Sequence, residues 1–174
     1  MKNLFLLTLI SILMFSCETT VVEGVKLGPA PGYLVAQDGS KIDARDADPS
    51  NLAIWEKYIE AHNNRDIETI RKMDSDTILV VGPDGSRFNG VDEHINFLDT
   101  WFSMADPKWE IYWSMPYKGV KGGAEWVIAG HSVTLMEGES EVKKNQMIDA
   151  FIKDDKIQLF YVYQMDVPSE ATEE

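Results

Sequence analysis

The stretch Asn145–Asp166, NQMIDAFIKDDKIQLFYVYQMD, decides how the chain is read. Met147, Ile148, Ala150, Phe151 and Ile152 precede a polar pair, Asp154-Asp155. After the pair, Ile157, Leu159, Tyr161, Tyr163 and Met165 alternate with Gln158, Phe160, Val162 and Gln164. Neither arm holds Gly or Pro, and β-branched and aromatic residues dominate. This pattern predicts two long strands joined by a tight turn. Both faces of the second arm are largely apolar, so the hairpin is expected mid-sheet, with something packed on each side.

Working back from the hairpin, two further strands are expected. Lys108–Met115 would put Trp109, Ile111, Trp113 and Met115 on one face. Ala124–Met136 sets Trp126 and Ile128 against Val127, Ala129, His131, Val133 and Leu135, with Gly130 a candidate bend or bulge. Ahead of them the spacing changes to that of helices. Asp48-Pro49-Ser50 opens one whose stripe is Leu52, Trp55, Tyr58, Ile59 and His62. Asp66 caps a short second helix, Ile67 to Met73. Thr77–Val81 is a buried-type strand, and Arg87–Asn89 returns after a turn at 82–86. Val91–Ala105 is a third helix with Ile95, Leu98, Trp101 and Phe102 inward. The order α-α-β-β-α-β-β-β-β predicts an α+β layer fold.

Several of these pieces resemble the nuclear-transport-factor-2-like superfamily, and within it the bacterial SnoaL-like proteins. They are Tyr58-Ile59-Glu60-Ala61 with Asp66-Ile67, the strand Thr77–Val81, and Gly90-Val91-Asp92-Glu93. The turn Asp154-Asp155-Lys156-Ile157 and a closing strand ending in Asp166 complete the match, over about residues 50–166. Asp155 stands where the family usually has Gly, a position an Asp can take at positive φ. The resemblance implies a cone: a curved, mostly antiparallel sheet wrapped around three helices, with a pocket at the wide end. It also implies a choice of roles, since members include isomerases, dehydratases, hydrolases, cyclases and non-catalytic modules.

Composition bounds the function. The 174 residues suffice for one domain and a tail. A net charge of −13 leaves no basic stripe for a phosphate backbone, so nucleic acid is not an expected partner. The N-terminus reads as an address. Lys2 precedes a 12-residue apolar run, Leu4 to Phe15, too short to span a bilayer, and Cys17 follows Ser16. This resembles a bacterial lipoprotein signal, which implies cleavage after residue 16 and a lipid on Cys17. The expected organisation is a signal peptide at 1–16, a lipid-anchored tether at 17–47, a cone domain at 48–166 and an acidic tail at 167–174. Localisation in the bacterial cell envelope follows, through that anchor.

The chemistry-bearing candidates are few. No HExxH, Cys/His cluster, phosphate loop or nucleophile elbow occurs, so neither metal nor cofactor is expected. Asp149 sits among Met147, Ile148, Ala150 and Phe151, where burial would raise its pKa and suit it to act as a base. A one-residue slip in register would put it on the opposite face. His131 and His62 are the partner candidates, and His94 is expected in solvent. Tyr58, Trp101, Trp113 and Tyr163 are candidate pocket walls. The leading expectation is a domain that binds a small, largely apolar molecule. The alternatives are an acid–base enzyme of isomerase, dehydratase or hydrolase type and a dimeric interaction module. A homodimer through the sheet is expected, because only one face can cover the helices.

Overall fold

The computed structural model describes residues 28–167. Eleven elements follow in order: β1 (Gly32–Val35), β2 (Lys41–Asp46), α1 (Ser50–Asn63), α2 (Ile67–Met73), β3 (Asp74–Val81), β4 (Arg87–Asn89), α3 (Val91–Ala105), β5 (Lys108–Gly119), β6 (Glu125–Glu137), β7 (Ser140–Lys153) and β8 (Lys156–Asp166). The strands form one eight-stranded sheet in the order β1-β2-β5-β6-β7-β8-β3-β4. Every pairing is antiparallel except β3 with β8. The three helices pack on its concave side, so the expected α+β cone is the fold the chain adopts.

The Asn145–Asp166 hairpin is central, as its two apolar faces require. β7 and β8 pair from Lys144↔Asp166 to Lys153↔Lys156, and Asp154 and Asp155 both sit at positive φ, 54° and 58°. That is the mirror-image two-residue turn whose twist matches the strands. Aspartate replaces the usual glycine there at modest cost.

Helix termini are fixed locally. Asp66 accepts the N–H of Thr69 (3.0 Å) and caps α2. Gly90 starts α3 at φ 88°, a conformation that favours glycine. At the end of α1, Asn63 donates to the Trp109 carbonyl and accepts its N–H, both at 2.8 Å. One amide thus ties the helix to the start of β5. Inside, Trp55, Ile59, Ile70, Ile78, Leu98, Val127, Ala129, Val133, Ile148, Ala150 and Ile157 form the core.

Three findings differ from the sequence reading. Residues 32–46, expected within a tether, fold as the β1–β2 hairpin and extend the sheet edge onto β5. Its turn, Asp38-Gly39-Ser40, is built like Asp84-Gly85-Ser86. In each the aspartate Oδ1 accepts the serine N–H two residues on, at 2.9 Å. This hairpin escapes a search for long hydrophobic runs because its strands are short and mostly polar. Second, β5 carries an extra residue. Ile111 pairs with His131 but Trp113 pairs with Gly130, so Tyr112 is the bulge. Trp109 and Ile111 face inward, whereas Trp113 and Met115 move to the outer face. The Trp113 ring lies over Gly130, where a Cβ would meet it at 2.2 Å. Third, a similar insertion at Gln158 turns Ile157 inward while Leu159 and Tyr161 face out. The expected tail at 167–174, like the signal peptide, lies outside the described residues except for Val167.

Candidate active site

A cavity of about 370 Å³ lies between α1, α3, the β3–β4 turn and the concave faces of β6, β7 and β8. That is within the range of small-molecule sites, roughly 300–1,000 Å³. Aromatic and aliphatic side chains make most of its wall, among them Trp55, Phe97, Trp101, Trp109 and Phe160. Polar groups converge in two places.

The first is deep. Asp74, the opening residue of β3, is fully buried. Its Oδ1 accepts the Tyr58 hydroxyl from α1 at 2.6 Å, and its Oδ2 accepts the Nδ1–H of His94 from α3 at 2.8 Å. Lys156 Nζ donates to the Asp74 carbonyl oxygen at 2.9 Å. Both carboxylate oxygens are therefore occupied, and three elements meet at one side chain. With Nδ1 of His94 committed, Nε2 is the ring nitrogen left for the cavity that His94 lines. Burial and the adjoining Asp74 charge raise the Tyr58 hydroxyl pKa well above its ordinary value, so the phenol stays a donor.

His62 stands beside this pair, its ring centroid 6.0 Å from that of His94. Its Nδ1–H donates to the Tyr58 carbonyl one helical turn back (2.8 Å), so Nε2 again is the free acceptor. Burial, reinforced by His94, holds the His62 pKa down to about 3. The ring is neutral at physiological pH.

The second polar group lies toward the mouth. Trp109 Nε1 donates to Gln146 Oε1 (3.0 Å), and Gln146 Nε2 donates to Gln164 Oε1 (2.9 Å). Lys144 is held by Glu137 (2.8 Å) and Asp166 (2.9 Å). Asp84 and Ser86 add to the rim from the β3–β4 turn. Among the described residues no three His, Cys, Asp or Glu side chains cluster as a metal site.

Of the residues singled out from sequence, Tyr58, His62 and Trp101 line the cavity. His131 is fully buried but stands behind Trp55, accepting its indole N–H at 3.2 Å, and burial lowers its pKa to about 4. Asp149, Trp113 and Tyr163 face away from the cavity on the outer side of the sheet. The cause for Asp149 is register: Ile148 and Ala150 point inward, so their neighbour cannot. It accepts the Tyr117 hydroxyl at 2.9 Å, and burial raises its pKa. For Trp113 the cause is the Tyr112 bulge. Cys17 lies outside the described residues.

Two site residues escaped the sequence reading. His94 is not in solvent; only 1% of it is exposed. The signal was present, since His94, Leu98 and Phe102 recur at four-residue spacing along the buried stripe of α3. Asp74 carried no signal, because an acidic residue beside Ser75 and Asp76 reads as a helix end.

The outer face is unusual in its own right. The register aligns Trp113, Gly130, Met147 and Tyr163 in one row across four strands. The next row is Met115, Ile128, Asp149 and Tyr161, and the next Tyr117, Trp126, Phe151 and Leu159. Asp149 is the sole charge in these twelve positions. Trp126 stacks on both Tyr117 and Phe151, while Trp113, Met115, Met147 and Tyr163 remain 40–58% exposed.

No family model matches the sequence, and no curated protein does. Solved structures do match in fold. Bal32a, from a soil-derived mobile gene cassette, superposes with a TM-score of 0.57 at 14% identity, over 67% of this chain and 89% of that one. An LEH-like epoxide hydrolase of M. tuberculosis gives 0.55 at 18% identity, over 65% and 80%. A protein of Shewanella putrefaciens assigned as a SnoaL-like polyketide cyclase gives 0.54 at 12% identity, over 68% and 91%. These likenesses establish the nuclear-transport-factor-2-like fold.

The two depressed histidines predict a pH dependence. Well above pH 6.5 neither ring is protonated, folded or unfolded. As pH falls below 6.5 the unfolded chain takes up protons that folded His131 and His62 refuse until about 4 and 3. Stability is thus lost on acidification, by at most about 1.4 kcal/mol per pH unit for each histidine. Asp149, with its raised pKa, partly offsets this. The direct measurement is NMR titration: His62 and His131 should show no midpoint between pH 5 and 8. A midpoint near 6.5 for either ring in the folded protein would contradict its burial as a neutral base.

Proposed function

We propose that the domain carries out acid–base chemistry on a small, largely apolar molecule held in the cone cavity. The observation that carries this reading is the Asp74–His94 pair, 2.8 Å apart and buried, with the second ring nitrogen available to the cavity. Asp74 fixes the tautomer in which Nε2 is the base, and its charge stabilises the imidazolium that forms when a proton is taken. Tyr58 holds the other carboxylate oxygen and so fixes the orientation of Asp74. His94 can then return the proton to a neighbouring atom or a leaving oxygen. The reaction class is isomerisation, elimination or hydrolysis. A purely binding role would use the same aromatic wall, but it has no need of a buried carboxylate, which costs desolvation energy. The structural neighbours include an LEH-like epoxide hydrolase and a protein assigned as a SnoaL-like polyketide cyclase, which agrees with this reading at the level of the fold.

We also propose that the outer face of β5–β8 joins two copies of the chain back to back. Twelve contiguous positions with one charge are an unusual surface for a monomer, and a two-fold pairing would cover the same rows on both copies. The β1–β2 hairpin lies at the sheet edge and leaves those rows uncovered, with Met147 43% and Tyr163 58% exposed. Attachment to the cell envelope through a lipid on Cys17 completes the proposal; its support is the apolar run that ends at the chain's one cysteine.

Three experiments test these statements. For the chemistry, candidate hydroxylated and carbonyl compounds are incubated with the protein in D₂O and followed by NMR for turnover or C–H exchange. His94→Gln should lower the rate by roughly 10²–10⁴-fold while the fold, checked by circular dichroism, is kept. An undiminished rate removes His94 as the base. For the pairing, Met147→Glu should shift a sedimenting dimer to monomer; a wild-type monomer at micromolar concentration refutes it. For the anchor, fatty-acid labelling should mark the wild type and not Cys17→Ala, and a wild type without label refutes it.

A further inference from the structure

The polarity of the cavity's inward groups constrains what it can hold, and this inference deepens the acid–base reading by naming the ligand class. Consider what each polar group along the cavity offers. The Tyr58 hydroxyl is given to Asp74, and the Trp109 indole N–H is given to Gln146. The Gln146 amide has its oxygen occupied by Trp109 and one N–H engaged by Gln164, leaving a single N–H. The two imidazoles each spend their Nδ1–H within the protein, on Tyr58 O and Asp74 Oδ2. Two lone pairs, on His62 Nε2 and His94 Nε2, therefore face an otherwise aromatic space. A ligand polar group placed there must bring a hydrogen. An acceptor-only group would leave both lone pairs unmatched, and a buried unmatched polar atom costs more than a made hydrogen bond returns.

Charge narrows the class further. Asp74 lies directly behind His94. At the mouth, Lys144 is shared between Glu137 and Asp166, and Asp84 stands on the same rim. The chain as a whole carries −13. No uncommitted cation among the described residues lines the cavity to receive an anion. An ammonium would have to shed its water in a mostly aromatic space whose one buried carboxylate already accepts from Tyr58 and His94.

We propose that the cavity selects an uncharged, mostly apolar molecule bearing a hydroxyl, which donates to His62 or His94, and that it rejects carboxylates and phosphates. The hydroxyl suits the single remaining Gln146 N–H as well, since it can accept one hydrogen bond while donating another. The aromatic wall, with Trp55, Trp101 and Trp109, covers the apolar body.

The test uses one ring system with four substituents: 2-naphthol, 2-methoxynaphthalene, 2-naphthoate and 2-naphthylmethylammonium. Binding to the purified protein at pH 7.5 is measured by titration calorimetry, with quenching of the cavity tryptophans as a second signal. The naphthol is expected to bind about tenfold tighter than the methyl ether, which lacks the donor, and the two ions at least as weakly as the ether. His62→Phe should shrink the naphthol preference over the ether. Equal binding of ether and naphthol, or tightest binding of either ion, overturns the proposal; so does failure of all four to bind. The wild-type series decides even if the variant does not fold. Because it reads binding and not turnover, selective binding of the naphthol by a protein whose rate survives His94→Gln would refute the catalytic assignment alone.

Discussion

The buried carboxylate of Asp74 is the constraint on which the site depends. A charged group with no solvent contact is tolerated only if its oxygens are hydrogen-bonded. Here the partners come from separate helices: Tyr58 from α1 and His94 from α3, with Lys156 closing on the backbone from the β7–β8 turn. The helices cannot shift relative to β3 without stranding an acceptor. The same bonds decide the chemistry, because they assign the hydrogens on Tyr58 and His94. Packing and reactivity are thus one arrangement, and a change to Asp74 would disturb both.

The sheet divides the protein into two environments through its alternation and its two insertions. Inward positions along β6 and β7 build the cavity floor and core. Outward positions build the aromatic rows around Asp149. The bulge at Tyr112 moves Trp113 from the inner to the outer set, and the insertion at Gln158 does the same for the register of β8. Both large carboxylate–tyrosine pairs of the domain, Asp74–Tyr58 and Asp149–Tyr117, are consequences of where that alternation leaves an acid. One faces a cavity beside an imidazole; the other faces outward among aromatic rings.

The architecture was largely legible in the sequence. The central hairpin, the three helices and the two preceding strands follow from periods of 2 and 3.6, and long periodic segments carry that signal strongly. Tyr58, Trp101 and His62 were placed on the right helices by the same means. What was not legible depended on a count of one. Trp113 sits on a strand whose inner face can be assigned only once its bulge is located, and a bulge leaves little trace beyond a glycine such as Gly130 on the facing strand; Asp149 sits on a strand without a bulge, and its face turns on a one-residue choice of register. Asp74 was invisible for another reason: its environment is assembled from residues 16 and 20 positions away, which no local pattern reports. The β1–β2 hairpin was missed because a polar edge pair has no hydrophobic rhythm.

That hairpin alters the geometry of any attachment at Cys17. Were residues 17–47 all tether, a fully extended leash would reach on the order of 100 Å from the point of attachment. With residues 32–46 laid down as sheet, only residues 17–31 lie between that attachment and the sheet, with a maximum reach of roughly 50 Å. An anchored domain would then work within about one molecular diameter of the bilayer, near enough to receive an apolar ligand from the lipid phase by a short aqueous transfer.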